Sequence, residues 1–219
     1  MKIATWNLER PKSNSSRISK IVEILKSIDA DIIILTETNR SIYIGEEYNY
    51  SHSAELPEDF YLSGERRTSI LSKYRIVRSF QTRDDKTSLS IEFETPLGNL
   101  IVYATIVGIF GNRRDDFLVD QQQQLEDLTT LFEVNLPIIY AGDLNISFCD
   151  NYYFTKSGRE NFCRTFQNLD LEITTENIPE NIDHIVISKS ILKDRKTNET
   201  VWNLDKKLSD HIGIAIEII

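Results

Sequence analysis

The stretch DIIILTE, residues 31–37, is a short apolar run that ends in a threonine and a glutamate. Such an uninterrupted run is typical of a β-strand that is covered on both faces. A second run, IIYAGDLN at residues 138–145, has the same character and ends in glycine and polar residues. Two buried strands with polar ends favour a layered fold of sheets and helices.

Helical and strand patterns surround these two runs. After Ser15 or Ser16 as N-cap, apolar residues recur at helical spacing up to Ile28 and predict an amphipathic helix. Two more helices are predicted over residues 115–133, with a solvated glutamine run beside the apolar face, and over residues 158–169. Further strands are predicted over residues 2–6, 69–72, 75–82, 88–94, 99–107, 182–188 and 212–219, and residues 39–57 are predicted to form a loop.

The length and charge of the chain limit its function. At 219 residues, with 40% hydrophobic residues, residues 1–219 are expected to form a single domain. The formal net charge of −9 opposes binding to polyanions, because non-specific DNA binding normally relies on an excess of lysine and arginine. Either metal ions and a local basic rim recruit a phosphate substrate, or the substrate is small or is delivered by a partner.

Cysteine usage and hydropathy bear on location. Cys149 and Cys163 have neither zinc-site spacing nor the density of a disulfide scaffold, so reduced structural thiols are expected. The first ten residues lead directly into a strand, and no run approaches the roughly 20 apolar residues of a membrane helix. A cytoplasmic protein without membrane insertion is the expectation.

Polar residues recur at the ends of the strongest predicted strands. They are Asn7, Glu9, Glu37, Asp143, Asn145, Asp183, Asp210 and His211. Taken singly, an Asp or Asn after a strand is commonly only a turn residue or a helix cap. As a set they supply carboxylate and amide oxygens, which suit a hard cation such as Mg²⁺.

Five segments carry a resemblance to a known family. They are TWNLE (5–9), DADIIILTETN (29–39), YAGDLN (140–145), NIDHIVIS (181–188) and SDH (209–211). In these segments the chain resembles the endonuclease/exonuclease/phosphatase superfamily, which includes deoxyribonuclease I, exonuclease III, abasic-site endonucleases, sphingomyelinases and inositol-polyphosphate phosphatases. The resemblance implies an α/β fold, a four-layer α/β/β/α sandwich of two mixed sheets with outer helices. It also implies a phosphoesterase that depends on Mg²⁺ or, alternatively, Mn²⁺.

The resemblance also implies a metal site. Glu37 matches the principal metal ligand, with Asn7 beside it and Glu9 or Asp210 within reach of the ion. Glu37 follows the run DIIILT, and Asn7 follows the first predicted strand.

Four other positions match residues that act on water and phosphate. Asp143 matches the residue that positions or deprotonates the attacking water, and Asn145 matches the amide that holds that water and the phosphate. His211 matches the histidine that contacts the scissile phosphate, and Asp183 matches its carboxylate partner. A neighbouring carboxylate raises the pKa of a histidine, so the imidazolium can stabilise a charged transition state.

One position departs from the family pattern. Where family members carry His or Tyr on the strand before the long middle helix, this chain has Thr105, and Tyr103 shares its face of the strand. Asn112 is a candidate for a second amide that the abasic-site enzymes carry nearby. A hydroxyl can bond a phosphate oxygen, but it lacks the charge of an imidazole and the reach of a phenol.

Basic pairs and two further histidines complete the candidates. The pairs Arg66–Arg67 and Arg113–Arg114 fall in predicted loops, where such pairs are usually solvated but could form a basic rim around a phosphate site. His184 is expected on the opposite face from Asp183, and like His52 it is assigned a structural or solvated role.

Three function classes remain open. A nuclease that acts on DNA or RNA leads, with nucleic acid as substrate and a recruiting protein as a candidate partner. A phosphatase or phosphodiesterase for a small or lipid phosphate ester is the alternative, because an acidic surface hinders it less. A non-catalytic binding or scaffolding protein is motivated only by Thr105.

Overall fold

The computed structural model describes residues 1–13, 15–57, 61–108 and 115–219. The first half of the chain forms β1 (Lys2–Asn7), α1 (Ser16–Ile28), β2 (Ile32–Asn39), β3 (Asn49–His52), β4 (Glu65–Ser72), β5 (Arg75–Phe80), β6 (Ser88–Thr95) and β7 (Gly98–Ile106). The second half forms α2 (Asp115–Phe132), β8 (Ile138–Asp143), α3 (Lys156–Asn168), β9 (Leu171–Ile173), β10 (Asp183–Ser188), α4 (Lys189–Leu192), β11 (Thr197–Trp202) and β12 (Gly213–Ile218).

The strands pair into two six-stranded sheets. The first has the order β11-β12-β1-β2-β4-β3, and the second has the order β5-β6-β7-β8-β10-β9. Each sheet contains one parallel pair whose strands are connected through a helix. The pair is β1 with β2 in the first sheet and β7 with β8 in the second, and all other strand neighbours are antiparallel in the described residues. Both sheets are therefore mixed, as predicted.

Strand β2 is covered on both faces, as its continuous apolar run predicted. Ile32 and Ile34 belong to the core between the two sheets, whereas Ile33 and Leu35 pack with α1 on the outer side. On the second sheet, α2 and α3 cover the outer face and pack against Tyr140. This arrangement confirms the four-layer α/β/β/α sandwich.

The topology brings several strand ends to one edge of the sandwich. Because β1 and β2 are parallel, their carboxyl ends, which carry Asn7 and Glu37, lie on the same edge of the first sheet. Strands β8 and β10 are antiparallel, and their register pairs Asp143 with Asp183. The fold thus gathers residues that are far apart in sequence.

Several predictions of local structure need correction. Strand β4 begins at Glu65, so Arg66 and Arg67 lie in a strand and are buried, not in a solvated loop. The glutamine run is not wholly solvated, because Gln121 and Gln124 are buried and bond to the backbone of Gly158 and Ile106.

The short elements β3, β9, β11 and α4 were not predicted. Strand β11, TNETVW, is largely exposed at the edge of its sheet and has a polar sequence, so it carries little hydrophobic signal. Strand β3, NYSH, has the same weakness and lies within the predicted loop. Within the described part of the chain, no helix has the length and apolar character needed to cross a membrane.

Candidate active site

The candidate site is a cleft at the edge where the two sheets meet. A cavity of about 480 Å³ opens there, and its lining includes Asn145, Asp183, Asp210 and His211. These residues come from the loop after β8, from the start of β10 and from the loop before β12.

Asp143 lies at the centre of a buried hydrogen-bond network. The Asn7 side-chain amide donates to Asp143 Oδ2 at 2.9 Å, and the Asn145 backbone N–H donates to Asp143 Oδ1 at 3.0 Å. Burial and the neighbouring charge of Asp183 raise the pKa of Asp143 to about 7, although His211 and the two donors partly offset these effects. A carboxyl group with this pKa suits general-base chemistry near neutral pH.

His211 and Asp183 form an ion pair. His211 Nδ1 lies 2.6 Å from Asp183 Oδ2. Burial alone would lower the pKa of His211. The charge and hydrogen bond of Asp183, together with the charges of Asp143 and Asp210, instead raise this pKa to about 10. The imidazole is therefore protonated and faces the cleft as a cation.

Two motif residues outside the candidate set hold His211 in place. The Ser209 hydroxyl donates to the carbonyl of Asn7 at 2.7 Å and accepts from the backbone N–H of His211. The Trp6 indole donates to the carbonyl of His211 at 3.1 Å. Trp6 and Ser209 thus tie β1 to the loop before β12, which fixes Asn7 and His211 relative to each other.

Glu37 interrupts the regular pairing of β2 with β4. Its φ is +45°, a left-handed conformation that is unfavourable for a residue with a side chain, and the register of the two strands passes over it. Its carbonyl accepts from the Arg10 backbone N–H at 2.9 Å. Burial raises the pKa of the carboxyl group and so does Asp210, whereas Arg67, His211 and Arg10 lower it. The charges of His211 and Asp210 thus act on Glu37, which lies near the cleft but does not line the cavity.

The remaining acidic candidates differ in their surroundings. Asp210 is 69% exposed and its carboxylate lies 3.6 Å from His211 Nε2. Glu9 is exposed as well, but its carboxylate is 3.5 Å from the Arg17 guanidinium, and its backbone N–H donates to Asn7 Oδ1. In this conformation Glu9 is thus engaged with helix α1.

Carboxylate oxygens at the cleft retain free capacity for a ligand. Asp183 Oδ1 is buried and has no hydrogen-bond partner among the described residues. Ligand atoms of Asp143, Asp183 and His211 lie within 4.8 Å of one another. The protonated His211 is not a ligand, so the two carboxylates are the members of this group that could contact a metal ion. A set dominated by carboxylate and amide oxygens fits a hard divalent cation such as Mg²⁺.

Comparison with a protein-family model identifies the chain. The model described as "Endonuclease/Exonuclease/phosphatase family" matches residues 4–211. The chain belongs to this family. No curated protein sequence matches the chain.

Solved structures share the fold over the whole chain at low sequence identity. An AP endonuclease from Archaeoglobus fulgidus is 14% identical, with a TM-score of 0.73, and the match covers 100% of this chain and 99% of that one. An endonuclease/exonuclease/phosphatase from Beutenbergia cavernae is 16% identical, with a TM-score of 0.71 and coverage of 100% and 71%. A 3′ phosphatase from Neisseria, bound to a product DNA hairpin, is 14% identical, with a TM-score of 0.68 and coverage of 100% and 99%.

Thr105, the departure from the family pattern, lies away from the cleft. It is fully buried on the helix-facing side of β7, and its hydroxyl donates to the Gln124 side chain of α2. Tyr103 shares that face, as expected, and its hydroxyl donates to Asp127 at 3.2 Å. This corrects the expectation that Thr105 contacts the substrate, because its hydroxyl is occupied in the interface between β7 and α2.

The basic pairs also differ from expectation. Arg66 bonds Glu55 and the carbonyl of Glu65, and its burial removes it from an exposed rim. Arg67 is buried with its guanidinium 3.4 Å from the Glu37 carboxylate and 2.9 Å from the Tyr61 hydroxyl. It therefore lies against a candidate metal ligand. The other proposed contacts, Asn112, Arg113 and Arg114, lie outside the described residues.

His184 has the structural role assigned to it. It is fully buried, its Nε2–H donates to the carbonyl of Ile146 at 2.8 Å, and its Nδ1 lies 2.9 Å from the Thr175 hydroxyl. His52 is partly buried and its Nδ1 lies 2.7 Å from the Ser69 hydroxyl. Cys149 and Cys163 are not joined in a disulfide, but both are exposed and neither is part of the core.

Three residues in or near the cleft carried no signal in the sequence. Arg10 forms a close ion pair with the buried Glu65 at 2.6 Å, next to Glu37. Lys206 and Tyr152 line the cleft itself. All three lie in loops, where neither periodicity nor motif spacing marks a residue as functional, so their places follow only from the tertiary structure.

Proposed function

We propose that this protein is a divalent-metal-dependent nuclease that hydrolyses phosphodiester bonds by activating a water molecule. The observation that carries the proposal is the adjacency of buried Asp143, which contacts Asn7, to the ion pair of His211 with Asp183. A base and a fixed cation side by side are what water attack on a phosphate needs. Membership of the family supports this chemistry.

Each residue of the cleft has a proposed task. Asp143 accepts a proton from the attacking water, and Asn145 orients that water and a phosphate oxygen. The His211 imidazolium stabilises the negative charge that develops on the phosphate, because it is held as a cation by Asp183. The Asn145 side-chain amide also donates to the carbonyl of Val107 at 2.8 Å, which keeps it oriented.

The proposed cofactor is Mg²⁺, with Mn²⁺ as a substitute. Glu37 and Asn7 would hold it, with Asp210 within reach of the ion. Glu9 would have to leave Arg17 to take part. When bound, such a cation polarises the phosphate and neutralises part of its charge. Arg67 packs against Glu37 and restricts the orientation of the carboxylate.

Nucleic acid is the proposed substrate. One structure with the same fold is bound to product DNA, and another is an AP endonuclease, which supports this class by analogy of fold. The alternative, a small or lipid phosphate ester, is favoured by the net charge of −9 and by the burial of Arg66 and Arg67. A cytoplasmic location and recruitment by a partner protein stay predictions from the sequence.

A cleavage assay separates these substrates. Labelled single-stranded, double-stranded and abasic oligonucleotides are incubated with the purified protein and Mg²⁺, Mn²⁺ or EDTA. We expect cleavage with either metal and none with EDTA. If no oligonucleotide is cleaved while a small phosphate ester is hydrolysed, the substrate is of the alternative class.

A further inference from the structure

A second cavity adjoins the catalytic cleft. It has a volume of about 310 Å³, and its walls include Phe117, Ile146, Tyr152, Tyr153 and Phe154. We call this cavity the aromatic pocket. Asn145, Tyr152 and Tyr153 line both the aromatic pocket and the cleft, so the two cavities share a wall. A molecule whose phosphate lies in the cleft can therefore reach into the pocket.

One wall of the aromatic pocket is apolar and tightly packed. Phe117 packs between two glycines: a Cβ added to Gly108 would lie 2.4 Å from its ring, and one added to Gly158 would lie 2.7 Å from it. Gly108 also has a φ of +73°, which favours glycine. Ile146 is buried beside them. The cavity is thus preformed and is suited to a flat apolar group.

The mouth of the pocket carries exposed aromatic rings. Tyr152 is 50% exposed and Phe154 is 38% exposed, so both rings present accessible surface beside the pocket. Both residues belong to the segment that links β8 to α3. Exposed rings beside a catalytic cleft are a common means of binding bases by stacking.

Cations pack against both rings. The Arg159 guanidinium lies 3.9 Å from the centre of the Phe154 ring and also donates to the carbonyl of Asp150. Lys206 Nζ lies 5.4 Å from the centre of the Tyr152 ring. Cation–π contacts at these distances stabilise the orientation of each ring. They also add positive charge near the cleft of an acidic protein.

We propose that the aromatic pocket binds the base of the nucleotide whose phosphate is cleaved, by stacking on Tyr152 and Phe154. This inference rests on the proposed nuclease function and specifies its substrate as an unpaired nucleotide, because a base inside a duplex is not free to enter a pocket. Because Arg66 and Arg67 are buried, contacts to phosphate contribute less to the binding free energy. Stacking supplies the affinity that the acidic surface does not.

The test compares substrates with and without a base. Thymidylyl-thymidine and its two analogues, each lacking one base, are hydrolysed with Mg²⁺. We expect kcat/KM to fall by about 5- to 150-fold for one analogue, the effect typical of losing one base–aromatic stack. Tyr152→Ala and Phe154→Ala should bring the ratio of kcat/KM between the intact dinucleotide and this analogue towards unity. Tyr152→Phe, which retains the ring, should keep this preference for the intact dinucleotide.

A remote tyrosine provides a matched control. Tyr43 is 54% exposed and lines neither cavity, so Tyr43→Ala should leave the preference of the protein unchanged. Circular dichroism verifies that each variant is folded. Equal kcat/KM for all three substrates in the unmodified protein, or a preference that survives both alanine substitutions, overturns the pocket assignment.

A binding measurement separates failure of the pocket from failure of the nuclease function. Calorimetric titrations compare thymidine 5′-monophosphate with deoxyribose 5-phosphate, which lacks the base. We expect tighter binding of the nucleotide by about 5- to 150-fold, with loss of the difference in Tyr152→Ala. If no dinucleotide is hydrolysed but this difference is found, the nuclease proposal fails and the pocket stands. Equal affinities for the two compounds overturn the pocket even if hydrolysis occurs.

Discussion

At the scale of single residues, burial and hydrogen-bond partners separate carboxylates that look alike in sequence. Asp143 and Asp183 are both buried, but Asp183 pairs with His211 while Asp143 accepts only from neutral donors. Asp210, next to His211 in the chain, is largely exposed. Burial and the charge of Asp183 raise the pKa of Asp143 to about 7, which makes Asp143 the proposed base.

Replacing this carboxyl tests the assignment. Asp143→Asn should retain the fold and reduce turnover by about 10²–10⁴-fold, because a positioned general base typically contributes that much. The measurement is the rate of oligonucleotide or small-ester hydrolysis with Mg²⁺. Asp205→Asn, which changes an exposed carboxylate that pairs with Lys207, serves as the control. Undiminished hydrolysis by Asp143→Asn would remove Asp143 from the mechanism.

Buried His184 predicts a loss of stability in acid. Burial lowers the pKa of His184 from its ordinary value of 6.5 to about 4. The unfolded chain therefore protonates His184 more readily than the folded protein does. The stability contributed by neutral His184 is fully present above pH 6.5 and is lost as the pH falls towards 4. The loss should approach about 3 kcal/mol, since one pKa unit corresponds to about 1.4 kcal/mol.

The measurement is urea unfolding of the metal-free protein between pH 7.5 and 4, compared with His184→Gln. The variant is expected to be less stable at pH 7.5, because contacts to Ile146 and Thr175 are altered. The two free energies of unfolding should converge as the pH falls. Parallel pH profiles would show that His184 is not held neutral in the folded state.

At the scale of secondary-structure elements, the close approach of β7 and β8 requires a glycine just before Asp143, the proposed base. A Cβ added to Gly142 would lie 1.9 Å from the backbone carbonyl oxygen of Thr105, and Gly142 has a φ of +137°. Gly98, with a φ of +95°, has no atom within 4 Å of such a Cβ. Both positions disfavour a side chain, but only Gly142 lacks the space for one.

This pair of glycines gives a matched comparison. Gly98→Ala should lower the free energy of unfolding by about 1–2 kcal/mol, the effect of the backbone conformation alone. Gly142→Ala should lower it by a further 1–3 kcal/mol or so, because two strands must move apart. Denaturant unfolding measures both values. Equal losses for the two variants would contradict the close approach of β7 and β8.

The interface between β7 and α2 assigns Thr105 a structural role. Its hydroxyl bonds Gln124, which also bonds Tyr140 and the carbonyl of Ile106. Thr105→Val should therefore lower the free energy of unfolding by about 1 kcal/mol, the typical net worth of one hydrogen bond, and leave hydrolysis unchanged. A large loss of turnover without a loss of stability would restore the role in substrate binding.

At the scale of the whole molecule, net charge and the position of the arginines decide how the substrate is held. The chain carries a net charge of −9, and Arg66 and Arg67 are buried in β4. Lys206 is a cation that the structure places at the cleft. Few phosphate contacts are therefore expected from the described part of the chain.

This charge distribution predicts a weak dependence on salt. A plot of log Kd for a single-stranded oligonucleotide against log salt should have a slope below about 2, since each phosphate contact contributes about 0.7. Charge reversal at Arg113 and Arg114, the remaining basic pair, should weaken this binding while leaving hydrolysis of a small phosphodiester nearly intact. A slope above about 4 would point to a basic surface beyond the described residues.

The sequence alone determined the fold class and the residues at the strand ends. Hydrophobic periodicity reports local burial, so the runs at 31–37 and 138–145 predicted strands covered on both faces, and both were found. Short polar elements such as β11 gave no such signal. A glutamine run looks the same whether its side chains are solvated or, like Gln121 and Gln124, buried against the backbone.

Only the tertiary structure decided how these residues meet. The contact of Asn7 with Asp143 joins positions 136 residues apart, and that of His211 with Asp183 joins positions 28 apart. Contacts between positions so far apart in sequence depend on how the two sheets pack, which no local pattern encodes. The same packing buries Arg66 and Arg67, turns Thr105 towards α2, and forms the aromatic pocket from loop residues beside the cleft.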